Sequence, residues 1–194
     1  TKGLDANGPY TKKVQNLIKE MTGRKHVFMT MSGTSSITAA IYALDLFGKR
    51  VAVSSYNYVA CVNQYKAFCK PIFVDCDENS LIDIEKIPND CEAVMLVNYW
   101  ENVVDHDKVK ENYKGKIIAD CSQSLGAKYK GKLDGYFGDI SLFSFGGQKP
   151  VGTRGFTGAI ATDDDAVAHR IDCAINQGKA GEDRELPIEM LGFR

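Results

Sequence analysis

Lys149 stands in an uncommon setting for a lysine. The run Ile140-Ser-Leu-Phe-Ser-Phe145 is apolar, and Gly146-Gly-Gln-Lys149-Pro150-Val-Gly-Thr-Arg-Gly155 then turns polar and glycine-rich, as a buried strand does when it ends at a site. Glycines before the lysine and a proline after it exclude an ordinary helical position. An amine held between a core strand and such a turn is open to desolvation, which favours its neutral, nucleophilic form. With 24 Lys+Arg in the chain, a solvated loop lysine is the alternative for any one of them. Lys149 gains weight from its companions. Asp120 follows Ile117-Ile-Ala119. Ser32-Gly33-Thr34-Ser35 falls between a short apolar run and a helical stripe, where free N–H groups and the positive helix end converge on an anion. A Ser/Thr cap without a ligand is the alternative there. Tyr58 and Asn98 each follow an apolar run. Cys121, beside Asp120, is the thiol to examine as a nucleophile.

The elements that must position these residues are legible as periodicities. Val14, Leu17, Ile18 and Met21 predict an amphipathic helix over 11–21, stopped at Gly23. Residues 27–31 read as a strand, and Ile37, Ala40, Ile41 and Leu44 as one face of the next helix. Strands are predicted at 50–55, 72–75, 93–97, 117–119, 140–145 and 158–161. Helices are predicted at 59–69 and 105–113, and from the Asp163–Asp165 cap to Ala174. Residues 81–88 read as a connector or short helix, and 126–138 as loop and hairpin. Strands that alternate with helices imply an α/β fold, a mostly parallel sheet covered on both faces. Ligands of such sheets sit beyond the carboxyl ends of the strands. Ser32 to Ser35, Tyr58, Asn98, Asp120 and Lys149 all fall at those ends.

Composition narrows the classes. The 194 residues carry 24 Lys+Arg against 25 Asp+Glu and are 44% hydrophobic, enough for one cored domain over 1–194. The charges are mixed, so neither a nucleic-acid stripe nor a polybasic membrane patch is expected. No apolar run approaches a membrane span, and Thr1-Lys-Gly-Leu is not a signal peptide. The 6 cysteines form no Cys-x-x-Cys pair, and no two of them lie close to a histidine at metal spacing. They are expected to be reduced, buried thiols of a cytoplasmic protein, with no metal site.

One cofactor requires this particular set. Pyridoxal phosphate needs a lysine for its aldehyde, N–H groups and hydroxyls at a helix start for its phosphate, and a buried carboxylate to keep its ring nitrogen protonated. It also needs an aromatic ring against its face. Neither Gly-x-Gly-x-x-Gly after the first strand nor a phosphate-loop Gly-Lys-Ser/Thr is present.

The motifs also resemble those of the DegT/DnrJ/EryC1/StrS aminotransferases, pyridoxal-phosphate enzymes of the aspartate aminotransferase (type I) fold. Ser32-Gly33-Thr34-Ser35 is similar to the family's phosphate turn. Tyr56-Asn57-Tyr58-Val59-Ala60-Cys61 is similar to its aromatic segment, and Pro71-Ile-Phe-Val-Asp75-Cys-Asp77 to its next strand. Asp120-Cys-Ser-Gln123-Ser-Leu-Gly126-Ala and Gly138-Asp139-Ile140 through Ser144-Phe145 to Lys149 are similar to its acid and lysine motifs. The resemblance implies a three-layer α/β/α sandwich. It implies that Lys149 binds the cofactor and acts as acid and base, and that Asp120 pairs with the ring nitrogen. Gln123 would lie near the ring oxygen and Tyr58 on the ring, while Gly33, Thr34, Ser35 and Ser144 would hold the phosphate. It further implies amino transfer, with glutamate as donor and a nucleotide-linked keto-sugar as acceptor, in a homodimer of the kind that serves lipopolysaccharide and other glycans.

The departures are specific. Asn57 and Cys121 replace a Thr and an Ala, Asn98-Tyr-Trp-Glu101 replaces a His-x-Tyr-Gly-like turn, and Phe156-Thr157 replaces Glu-Gly. Leu191-Gly192-Phe193-Arg194 stands where Gly-x-Asn-x-Arg is expected, and the smaller C-terminal domain of relatives is expected to be absent. A non-catalytic half-protein and a different type I enzyme stay open as alternatives.

Overall fold

The computed structural model of the chain describes residues 8–100 and 102–178. The Leu191–Arg194 ending and Glu101 lie outside the described residues.

The core is a seven-stranded sheet in the order β1-β9-β8-β5-β4-β2-β3. The strands are β1 (His26–Thr30), β2 (Arg50–Ser54), β3 (Lys70–Val74), β4 (Ala93–Tyr99), β5 (Lys116–Gln123), β8 (Ile140–Ser144) and β9 (Gly158–Thr162), and a small hairpin pairs β6 (Lys128–Tyr129) with β7 (Lys132–Leu133). β3, β2, β4, β5 and β8 are parallel neighbours, and β9 runs antiparallel to both β8 and β1. Every strand except β9 therefore brings its carboxyl end to one rim. Pro71 lies inside β3, which is tolerated because β3 is an edge strand with one partner.

Period-two alternation sorts the strand side chains between two faces. Val51, Val53, Met95, Val97, Ile118, Ile140, Leu142 and Ile160 share a buried cluster with residues of the helices α2 (Gly33–Ala43), α3 (Val59–Phe68) and α5 (Asp165–Ile175). Their odd or even neighbours face the other way. Val94, Leu96 and Ile117 pack with Val109 of α4 (His106–Asn112), and Ala119, Cys121, Phe143 and Ala161 pack with Ile18 of α1 (Pro9–Thr22). The result is the expected three-layer α/β/α sandwich on a mostly parallel mixed sheet.

The elements differ from the sequence reading in three instructive places. β5 continues three residues past Asp120 instead of ending there, so Asp120 is flanked on both sides, by Val97 and Leu142. α1 ends at Gly23 as expected, in the left-handed conformation with φ 73°. Its apolar stripe, however, is split: Ile18, with Thr22, is buried against the sheet, while Tyr10, Val14, Leu17 and Met21 are exposed. Third, Asn98 is not a rim residue. It shares the inward-facing register of Val94 and Leu96, is fully buried, donates to Asp134 Oδ1 at 2.9 Å and accepts from Val104 N–H at 3.0 Å. A buried side-chain amide must find partners, and these lie away from the rim.

Candidate active site

The rim site is assembled from the starts of α2 and α3, the middle of β5 and the loop after β8. Ser32 caps α2 in a reciprocal box: its hydroxyl accepts from Ser35 N–H at 3.1 Å, and Ser35 Oγ accepts from Ser32 N–H at 2.8 Å. The N–H groups of Gly33 and Thr34 are the first of the helix and have no intrahelical acceptor. The Ser35 hydroxyl also donates to Ser32 O at 2.8 Å, so it is committed to shaping the turn. The seat of this helix start is tight. A Cβ on Gly33 would come 2.8 Å from Ser144 Cβ, and one on Gly158 would come 2.4 Å from the Ser32 carbonyl carbon. Only hydrogen fits at these approaches. Gly33, Ser144 and Ser122 thus meet at one point, with Ser122 Oγ 3.5 Å from that Gly33 Cβ position.

Asp120 points to the α2/α3/α5 face of the sheet and is 5% exposed. Its Oδ1 accepts from Ser122 N–H at 2.9 Å and its Oδ2 faces Cys61 Sγ at 3.8 Å. Among the described residues it forms no ion pair. Burial pushes its carboxyl above the usual carboxylate range; Ser122, the Lys149 charge and Cys61 act in the opposite direction. A buried carboxylate without a cation bonded to it is a costly feature, and it marks a place built for a positive partner.

Lys149 is half-buried in the loop, its N–H donating to Gly146 O at 2.9 Å. The loop folds back on the strand: Thr153 N–H and hydroxyl both donate to Phe145 O at 2.8 Å. Lys149 Nζ stands 5.7 Å from the centroid of the Tyr58 ring, within reach of a cation–π contact. Tyr58 is the cap residue of α3 and is 62% exposed, so its ring is free to lie on a ligand. Gln123 ends β5 opposite Tyr99, and its carbonyl accepts from Trp100 N–H at 3.2 Å. Trp100 itself is left-handed, with φ 53°, and exposed.

The structure thus gathers Lys149 with Tyr58, and Gly33 with Ser144 and Ser122, and places Asp120 under the influence of the lysine charge. Cys121 is excluded as a nucleophile. It alternates with Asp120 to the opposite face, is fully buried, and donates to Asp134 Oδ1 at 3.3 Å; burial holds its thiol far above the ordinary range. Sequence reasoning missed Ser122 and Cys61. Ser122 was findable, because a residue two after an aspartate is well placed to donate its N–H to that carboxylate. Cys61 was not, because nothing local to α3 indicates what its third residue faces.

The sheet order and its rim give the α/β fold shared with the type I aminotransferases. The comparisons narrow this further: the chain belongs to the DegT/DnrJ/EryC1/StrS aminotransferase family, whose profile it matches over residues 1–194. The GDP-perosamine synthase of Escherichia coli O157:H7 is 36% identical over 177 residues, 86% of this chain and 48% of that enzyme. The dTDP-3-amino-3,6-dideoxy-alpha-D-galactopyranose transaminase of Aneurinibacillus thermoaerophilus is 34% identical over 166 residues, 80% of this chain and 46% of the enzyme. Bacillus subtilis NtdA, solved with bound cofactor PMP, superposes with a TM-score of 0.87 at 26% identity, covering 96% of this chain and 44% of that one. The chain spans about half the length of the curated relatives it matches. No helix among the described residues is long and apolar enough to cross a membrane.

Proposed function

We propose that this chain is the cofactor-binding domain of a pyridoxal-phosphate-dependent aminotransferase that passes an amino group, with glutamate as donor, to a nucleotide-linked keto-sugar. The observation that carries the reading is Asp120, a buried carboxylate on the lysine side of the sheet with no cation bonded to it among the described residues. A protonated ring nitrogen is the partner that such an acid fits. The names of the relatives, GDP-perosamine synthase and a dTDP-sugar transaminase, support the acceptor class.

The residues divide the work. The N–H groups of Gly33 and Thr34, with Ser144, bind the phosphate, and the Ser32–Ser35 cap holds the helix start in place. Asp120 orients the ring and holds the proton at its nitrogen. Tyr58 would cover the ring face, and Gln123 would lie near the ring oxygen. Lys149 Nζ holds the cofactor at rest, and when released moves the proton at the substrate carbon. The cofactor supplies an electron sink when bound. Six free cysteines, all but Cys76 buried, support a reducing, cytoplasmic location.

A homodimer belongs to the same proposal. Tyr10, Val14, Leu17 and Met21 recur at i, i+4, i+7 and i+11, one face of α1, and all are exposed. An apolar stripe of this kind is what a second copy would cover.

Borohydride reduction with pyridoxal phosphate, followed by peptide mapping, tests the core of the reading. The label is expected on Lys149, with transfer of the amino group from glutamate in the unreduced protein. Labelling that persists in Lys149→Ala would overturn it.

A further inference from the structure

We propose that Cys61 is a positioning residue for Asp120: its thiol is the donor to the second carboxylate oxygen and favours the ionised acid. The proposal rests on the reading of Asp120 as the ring partner. The two oxygens of Asp120 are held unequally. Oδ1 takes the Ser122 N–H at 2.9 Å, from the same strand, whereas Oδ2 faces Cys61 Sγ at 3.8 Å, from α3. Cys61 itself sits in the apolar cluster between the sheet and the helices, and it is the α3 residue that donates to Oδ2.

The first turn of α3 makes this a coupled device. Cys61 N–H donates to Tyr58 O at 2.9 Å, and the Tyr58 ring lies over Lys149. One helical turn therefore touches both the lysine and the acid. One further turn along, Tyr65 is wholly buried, and its hydroxyl has no hydrogen-bond partner among the described residues. The charged and titratable groups acting on or near the carboxylate are Lys149 from the loop, Cys61 and Tyr65 from α3, Tyr99 from β4, and Cys121 behind it on β5. Burial and the neighbouring acid push the Cys61 thiol far above its ordinary range, so it stays protonated and acts as a donor, never as a thiolate. A thiol is a weak donor. Less stabilisation leaves the carboxylate more basic than a hydroxyl in the same place would. Valine, cysteine and serine at this position therefore form a graded series.

The test uses the whole protein freed of cofactor, with carboxyl-labelled aspartate followed by carbon NMR through a pH titration. Asp120→Asn assigns the signal. Asp120 in Cys61→Val is expected to titrate higher than in the parent by roughly half a pH unit or more, and in Cys61→Ser lower. With nitrogen-labelled pyridoxal phosphate bound at neutral pH, the ring nitrogen signal should move toward its unprotonated position in Cys61→Val and return in Cys61→Ser. Cys61→Ala serves as the donor-free variant if valine does not fold. Asp120 titrating alike in folded parent, serine and donor-free proteins would overturn the proposal. A parent that takes no borohydride label at Lys149 would instead overturn the reading of the site, and the carboxyl titration would still decide the role of Cys61.

Discussion

In the proposed site Asp120 concentrates the chemistry, and its substitution separates fold from function. Asp120→Asn keeps the volume and removes the charge, so we expect a melting temperature no lower than the parent's and a loss of transamination of about a hundredfold or more; an Asn variant at the parent rate would refute the assignment. His106 gives a different residue-scale test. It is 1% exposed and stacked on Phe137 with centroids 4.3 Å apart, and neither ring nitrogen has a partner among the described residues. Burial, then the charges of Lys110 and Arg24, depress its pKa to about 4. The folded state holds it neutral while the unfolded chain protonates it near 6.5, so its contribution to stability is complete above that value and declines as pH falls toward 4. The decline is on the order of 1 kcal/mol by about pH 5.5. Buried Asp120 and Asp134, whose pKa values are raised, act with the opposite sign. The quantity to measure is therefore the difference between parent and His106→Phe in denaturant unfolding at pH 7 and 5.5, which should shrink on acidification. The residue types of the proposed site and their order along the chain were readable, because strand, small turn and helix leave a local signature. The contacts that set Asp120 and His106 were not, because each comes from an element distant in sequence.

At the scale of elements, the start of α2 is positioned by absences of side chain. Gly158→Ala would drive a Cβ to between 2.4 and 2.7 Å of the Ser32 and Gly33 backbone, and backbone yields little. We expect a loss of about 2 kcal/mol together with weaker binding of inorganic phosphate and of pyridoxal phosphate. Gly146→Ala, whose nearest contacts are at 4.0 Å, should change neither, and equal effects of the two would refute the seating of α2. Strand number was legible because apolar runs and β-branched residues mark the buried strands, and the mostly parallel sheet because helices alternate with them; that β9 is the reversed strand was not. Their exact lengths were not. β5 runs on past Asp120 because β4, through a bulge between Val97 and Tyr99, still offers it a partner, and a partner's register leaves no mark on the strand's own sequence. The direction of the α1 stripe was likewise hidden, since periodicity reports that an apolar face exists and not which neighbour covers it.

For the whole molecule, the proposed second copy gives a dilution test. Leu17→Glu should keep the circular dichroism of the parent and weaken association by roughly tenfold or more, and cofactor retention should fall with it, because binding and assembly are linked by mass action. A variant that sediments like the parent would remove α1 from the interface. The reversed strand β9 has a consequence for how the protein is made. Among the described strands β1 pairs only with β9, through His26 to Thr162 and Thr30 to Gly158, and the helix start that follows β1 rests against Gly158. Long-range closures of this kind come late in folding. A chain still on the ribosome, with residues 1–150 exposed, carries the lysine, the acid and the cap, yet has no seat for the cap. Competence for the ligand should therefore arrive in one step, when β9 emerges and slides between β1 and β8. Nascent chains stalled before β9 should not capture pyridoxal phosphate, however much of the sheet they have already formed.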